Sequence, residues 1–311
     1  MSGEAPQAHA SERFFAEPRW TVEELVAAKD GRTVSVVLPA LNEEETVAGV
    51  VETIVPLLGT LVDELIVLDS GSTDATAERA RAAGATVISR EDAVPGLAPV
   101  PGKGEALWRG VAASSGDLIA FVDSDLIEPD PRYVPRLLGP MLFDRDVHLV
   151  KAYYRRPLRV FKQGEDPTGG GRVTELVARP LLAALRPPLR VILQPLGGEY
   201  AGTREFLTSV PFAPGYGVEI GLLLDAEARY GLEGIAQVNL SVRKHRNRDL
   251  RDLGVMSRQI MGTALRRCGI PDSGAGITQY LVEPGPDDRF TEVTTDLYLE
   301  DRPPANTLRN S

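Results

Sequence analysis

Short, solid apolar runs alternate with longer stretches of helical spacing through most of the chain, and each apolar run closes on a small, polar or acidic turn. The clearest case is Gly116-Asp117-Leu118-Ile119-Ala120-Phe121-Val122-Asp123-Ser124-Asp125. An uninterrupted apolar run of this length reads as a strand buried on both faces, as in a parallel sheet. Residues 33–38, Glu64–Asp69 and Thr86–Ser89 have the same β-branched, apolar character, and residues 148–154 and 236–242 alternate as further strands. An Ala-rich stretch up to Gly84, residues 220–229 and residues 249–269 have helical periodicity. Leu250, Leu253, Met256, Ile260 and Leu265 give the last of these a broad apolar face. Strands alternating with helices predict an α/β fold with a mostly parallel central sheet flanked by helices. Residues 1–12 are expected to be disordered, and 11–29, with Phe14, Phe15, Trp20, Leu25 and Val26, to dock as a helical preface. The pattern changes after Asp125, which sets the expected division: 1–145 as preface and first half, 146–270 as a second half, and 271–311 as a turn-rich tail, mobile or docked on a partner.

In open α/β sheets ligands bind outside the carboxyl ends of the strands, so the residues that follow each strand are the candidates for chemistry. Asp123 and Asp125 emerge there, two residues apart and able to reach one metal ion. Their spacing alone proves little, because 44 acids in 311 residues give roughly six acid-x-acid triplets by chance; the strand context carries the signal. After the first strand, Pro39-Ala40-Leu41-Asn42-Glu43-Glu44-Glu45 reads as a turn in which Asn42 caps a helix and Glu45 completes a capping box. Glu43 also sits where a nucleotide would lie. The second strand runs into Ser70-Gly71-Ser72-Thr73-Asp74, small residues that let backbone approach a ligand, although Thr73 and Asp74 are also ordinary caps. Lys103, between Gly102 and Gly104 at a helix start, opposes the helix dipole unless an anion joins it, and a bound phosphate would resolve the conflict.

Downstream, Gly169-Gly170-Gly171-Arg172-Val173-Thr174 combines open amides, a guanidinium and a hydroxyl at a helix start. That is a reasonable phosphate cradle, with a flexible linker as the rival reading. Glycines at 197, 198 and 202 suggest backbone packed closely on a ligand. Glu219 has two readings, a first-turn acid serving the helix dipole or a carboxylate in a sugar pocket. The basic run 243–248 follows the last strand. Continued alternation would send Arg243, His245 and Asn247 to one face, a metal-capable imidazole flanked by polar groups able to meet an anion.

Charge and composition narrow the partners. A net charge of -10 argues against nucleic acid or an anionic membrane as a general partner, so an anionic small substrate has to be met by a local basic cluster. A single cysteine, Cys268, excludes an internal disulfide and a cysteine-built zinc site. No apolar run approaches the roughly 18 residues of a membrane span. The opening residues lack a basic-then-apolar signal, and a cytoplasmic protein is expected.

Three ordered motifs, Pro-Ala-Leu-Asn-Glu-Glu from Pro39, Asp-Ser-Gly-Ser-Thr-Asp from Asp69 and Asp-Ser-Asp from Asp123, together resemble the nucleotide-diphospho-sugar transferases of GT-A type. The full order, over about 33–250, is most similar to the retaining glucosyl-3-phosphoglycerate synthases, with mannosylglycerate-type synthases as cousins. The resemblance implies a GT-A fold, UDP-glucose as donor, the 2-hydroxyl of 3-phospho-D-glycerate as acceptor, Mg2+ or Mn2+, and a homodimer. It implies that Pro39, Ala40, Leu41, Asn42, Glu43, Ser70, Lys103, Asp123 and Ser124 hold the nucleotide. Tyr216, Gly217, Val218, Glu219 and Arg243 would line the donor sugar, and Asp125 and His245 would hold the metal. Gly171, Arg172, Val173, Thr174 and Asn247 would hold the acceptor, with Lys103, Glu219 and the Leu196 carbonyl nearest the chemistry. A mannosylglycerate-type or mannosyl-3-phosphoglycerate synthase, or a nucleotide-sugar-binding protein without catalysis, stays open as an alternative. A sugar nucleotidyltransferase would instead call for a Gly-rich segment bearing Arg and Lys straight after the first strand.

Overall fold

The computed structural model describes residues 13–155, 158–160, 164–166, 171–243, 249–283 and 289–310. In chain order the first half contains β1 (Phe14–Phe15), α1 (Val22–Lys29), β2 (Val34–Ala40), α2 (Val47–Ile54), β3 (Glu64–Asp69), α3 (Thr76–Ala82), β4 (Thr86–Ser89), α4 (Arg90–Ala93), α5 (Lys103–Ala113), β5 (Leu118–Phe121) and α6 (Tyr133–Phe143). The second contains β6 (Leu149–Arg155), β7 (Leu158–Val160), β8 (Gly164–Asp166), α7 (Arg179–Leu185), β9 (Tyr200–Thr203), α8 (Arg204–Ser209), α9 (Val218–Tyr230), β10 (Ile235–Val242), α10 (Leu250–Arg267), β11 (Ile277–Glu283) and β12 (Arg289–Thr295). Among the described residues, eight strands form one sheet in the order β1-β10-β6-β9-β5-β2-β3-β4, while β7-β8 and β11-β12 are separate antiparallel pairs.

The solid apolar runs are explained by burial on both faces. Along β2, Val34, Val36, Leu38 and Ala40 enter one core with α1, α2, α3 and α6, while Val37 enters the other with α5, α8, α9 and α10. Leu118 and Ala120 of β5 likewise face the first core, and Ile119 and Phe121 the second. Each fully buried Val, Leu or Phe is worth roughly 1.5–3 kcal/mol relative to exposure, so a polar residue on either face of β2 or β5 would be costly.

Strand β9 is the one antiparallel member of the sheet, hydrogen-bonded to β5 through Phe121↔Tyr200 and to β6 through Lys151↔Tyr200. Its reversal places the residues before Tyr200 beside the carboxyl ends of β5 and β6. The carboxyl end of β10, parallel to β6, lies at the same edge. Among the described residues, the turns after β2, β3 and β5, the residues before β9 and the end of β10 therefore meet at one rim.

Four expectations are corrected. The glycine-rich stretch before Arg204 is not a ligand-hugging loop throughout, since Tyr200–Thr203 is a buried central strand; Gly202 lets the Leu207 side chain pack against it. The N-terminal preface is helical only over Val22–Lys29, closed by a Thr21–Glu24 capping box, and Phe14–Phe15 is an edge strand on β10. Leu250 is 75% exposed and leaves the apolar face of α10 to Leu253, Met256 and Ile260. Residues past Gly269 include a regular hairpin, whose alternating β-branched residues supply strand propensity. A last segment docks on the body, with Ala305 buried and Arg302 paired with Phe212 backbone to backbone.

Candidate active site

The rim of the sheet opens into a cleft of about 630 Å³, a usual size for a small-molecule site. One wall comes from the turns after β2 and β3, which supply Pro39, Ala40, Leu41, Glu43 and Ser70, and from Asp123, Ser124 and Asp125 after β5. Lys103 at the start of α5, Gly171–Thr174, Leu196, Tyr216, Glu219 and Arg243 are also in the lining.

Local chemistry fixes the turns. Asn42 adopts φ 56°, and its Oδ1 accepts the Thr73 amide at 2.8 Å while its own amide donates to Ser72 Oγ at 3.0 Å. The Glu43 amide donates to Thr76 Oγ1 at 2.8 Å. The expected Asn42–Glu45 capping box does not form, because α2 begins three residues beyond the turn's Glu44 with Thr46 as an N-cap lacking a side-chain bond. Asn42 instead fastens the first turn to the second, and it does not line the cleft.

Beneath the cleft lies a network of buried charge. Lys103 Nζ is 2.7 Å from Asp123 and 2.9 Å from Glu219. Burial alone would lower the Lys103 pKa, but the two carboxylates outweigh it and hold it well above the usual lysine value. The helix-dipole conflict is thus met by protein carboxylates, not by a ligand alone. Glycines make room around the lysine: a Cβ on the adjacent Gly104 would collide with the Ala213 carbonyl, and one on Gly198 would lie 2.3 Å from Asp123 Oδ2 and 2.7 Å from Lys103 Nζ. Only glycine lets these segments close around the lysine.

Arg243, 4% exposed, donates to Glu199 at 2.7 Å, Asp123 at 2.5 Å and Asp125 at 3.2 Å. Burial opposes its charge, yet the surrounding acids, Glu199 foremost, raise its pKa well above the usual value. Glu199 is fully buried, and its Oε2 has no hydrogen-bond partner among the described residues. Asp125, 29% exposed at the rim, has its pKa raised by burial and then by the neighbouring Asp123 charge, with Arg243 opposing. A half-open carboxylate under like-charge stress, beside a second aspartate, is a donor set that suits a hard divalent cation. Among the described residues no three His, Cys, Asp or Glu side chains converge on a metal position. The other expected ligand, His245, lies outside the described residues, as does Asn247.

Residues 35–166 match the model of Glycosyl transferase family 2. The chain is 69% identical to the glucosyl-3-phosphoglycerate synthase of Mycolicibacterium smegmatis, over 96% of this chain and 97% of that one. The chain belongs to the glucosyl-3-phosphoglycerate synthase family. A crystal structure of the Mycobacterium tuberculosis glucosyl-3-phosphoglycerate synthase with Mn2+, UDP-glucose and phosphoglyceric acid is similar at TM-score 0.87 and 60% identity. The match covers 95% of this chain and 98% of that one. A second structure of that synthase, with Mn2+, UDP and glucosyl-3-phosphoglycerate, matches at the same TM-score and coverage. The GT-A architecture expected from the motifs is the one observed.

Against the synthase-family expectations, the cleft gathers the candidates of the first turn except Asn42, together with Ser70, Lys103, Asp123, Ser124 and Asp125. It also gathers Gly171, Arg172, Val173, Thr174, Leu196, Tyr216, Glu219 and Arg243. Gly217 and Val218 fall behind it: Val218 is fully buried in the second core, and Gly217 packs against Thr263 of α10. Strand β10 ends at Val242 after a bulge with Ser241 at φ 71°; the expected alternation over 244–248 lies outside the described residues. Sequence reasoning missed Arg90 and the α10 residues Leu253, Met256 and Gln259. The apolar spacing of α10 signalled burial but not that this face also roofs a cleft. It also missed Glu199, which the pattern gave no reason to bury.

Proposed function

We propose that the chain transfers glucose from UDP-glucose to the 2-hydroxyl of 3-phospho-D-glycerate, with retention, giving glucosyl-3-phosphoglycerate and UDP. The observation that carries this reading is one cleft lined together by the nucleotide-type turns, Asp125, the Gly171–Thr174 segment and the paired Lys103 and Glu219. The first half, 1–145, then supplies most of the donor site and 146–270 the acceptor site. A homodimer and a cytoplasmic setting belong to the same reading; a lone unpaired cysteine fits the latter.

The residues divide the work by charge. With Mg2+ or Mn2+ held by Asp125 and His245, Lewis-acid withdrawal of charge from the departing diphosphate is the chemistry the ion supplies. Lys103 adds a preorganised positive charge at the same position. Glu219, held by Lys103, presents a fixed carboxylate to the sugar hydroxyls. Asp123 and Glu219 are both engaged by Lys103, and Asp123 by Arg243 as well. By analogy with retaining synthases, the departing phosphate takes the acceptor proton on the face where the new bond forms, beside the Leu196 carbonyl, and configuration is retained.

UDP release from UDP-glucose, measured with and without 3-phosphoglycerate, tests the assignment; release that does not depend on the acceptor would reject it. Lys103→Ala is expected to weaken UDP binding by about 1.5–3 kcal/mol, roughly ten- to a hundredfold, because it also leaves Asp123 and Glu219 without their shared cation. Calorimetry giving an unchanged UDP dissociation constant would remove Lys103 from the donor site. Arg172→Ala should raise the KM for 3-phosphoglycerate while UDP affinity holds, the signature of lost ground-state binding of one substrate. Unphosphorylated glycerate should be a poor acceptor for wild type, with less discrimination in the variant. Equal use of both acceptors by wild type would shift the assignment to a mannosylglycerate-type specificity.

A further inference from the structure

The C-terminal segment ends on a charge cluster that the catalytic reading does not use. Glu105, 3% exposed on the first turn of α5, receives two guanidinium groups. Arg302 donates to its Oε2 at 2.6 Å and its Oε1 at 2.8 Å, and Arg109, fully buried, donates to Oε1 at 2.6 Å. The remaining donors of the two arginines reach backbone carbonyls of one segment. Arg109 bonds Arg90 and Leu97 at 2.6 and 2.8 Å, and Arg302 bonds Ala98 at 2.8 Å. The Val100 amide closes the set by donating to Glu105 at 3.3 Å. Residues 94–102 have no regular structure of their own, so these hydrogen bonds, with the packing of Val94 and Leu97 on the second core, fasten them. Arg302 in turn is fixed by its backbone pair with Phe212, by the Trp108 ring 5.4 Å away, and by the Trp108 indole, which donates to the Pro303 carbonyl at 2.8 Å.

The fastened segment runs directly into Val100, Pro101, Gly102 and Lys103, which line the cleft. We infer that Arg302 is a positioning residue for the donor site: through Glu105 and the Ala98 carbonyl, the C-terminal segment holds the 94–102 rim and sets the approach of Lys103 to the nucleotide sugar. The inference rests on the proposed function for the identity of the ligand. A bidentate guanidinium between a buried carboxylate and a carbonyl is a fork that lysine does not reproduce.

The test uses the full chain with Arg302→Ala and Arg302→Lys, read by amide hydrogen exchange of residues 94–101 and by calorimetric affinity for UDP and, separately, for 3-phosphoglycerate. Arg302→Ala should lose exchange protection in that segment and bind UDP roughly tenfold more weakly, while affinity for 3-phosphoglycerate stays at the wild-type value. Arg302→Lys, which retains charge and folds more readily, should recover only part of both losses. Unchanged protection and UDP affinity in Arg302→Ala would overturn the inference. So would equal weakening of both ligands together with exchange rising across the whole sheet, since that reports general destabilisation. A wild-type protein that binds no UDP would count against the proposed function, whereas loss of protection confined to 94–101 still reads the Arg302 fastening; the two failures are distinguishable.

Discussion

Asp125→Ala is expected to lower metal-dependent glucosyl transfer by about a thousandfold or more while the fold persists. A divalent ion contributes several kcal/mol to stabilising the departing diphosphate, and each ~1.4 kcal/mol is tenfold in rate. Little stability should be lost, because Asp125 sits at the rim and Arg243 keeps its shorter bonds to Asp123 and Glu199 without it. The substitution even removes a charge that burial and Asp123 disfavour. Mn2+ titration followed by electron paramagnetic resonance should show weakened binding in the presence of UDP, and circular dichroism should be unchanged. Full turnover by the variant, or wild-type turnover that survives excess chelator, would remove Asp125 from the metal site.

The parts of this architecture that were legible from sequence are those in which one local rule decides the outcome. Residues 118–122 are apolar without a break because β5 is covered on both faces, and the turns after β2, β3 and β5 meet at the cleft because the strands are parallel. What escaped depends on residues far apart in the chain. Tyr200–Thr203 has too few strand-forming side chains to declare itself, and it becomes a strand because β5 and β6 offer it unpaired edges on both sides. Asn42 has the makings of a helix cap, but the second turn outcompetes the helix for its carbonyl oxygen. In sequence Lys103 stands out because it opposes the dipole of α5. Which anions relieve it could not be read locally, since Asp123 is 20 positions away by number and Glu219 comes from α9. Glu199 and Arg302 lay beyond reach for the same reason, each meaningful only through a guanidinium distant in sequence.

Arg243→Met should be the most destabilising single change at the site. Glu199 is fully buried and Arg243 donates to its Oε1, with Oε2 lacking a hydrogen-bond partner among the described residues. Removing the arginine leaves a carboxylate in the interior with its main counter-charge gone, and breaking a buried pair in this way costs about 3–5 kcal/mol. Asp123 is cushioned by Lys103, so the penalty falls mainly on Glu199. That makes the origin of the loss separable: adding Glu199→Gln to Arg243→Met should recover a large part of the stability in denaturant unfolding, because the buried charge disappears. It should not recover activity, since Arg243 also lines the cleft and orients both Asp123 and Asp125. Arg243→Lys should fall between the two, as an ammonium cannot span the three carboxylates that the guanidinium fork reaches. A stable Arg243→Met protein would show that the Glu199–Arg243 pair is not what holds the floor of the cleft. Recovery of turnover in the double variant would show that Arg243 acts on the fold alone.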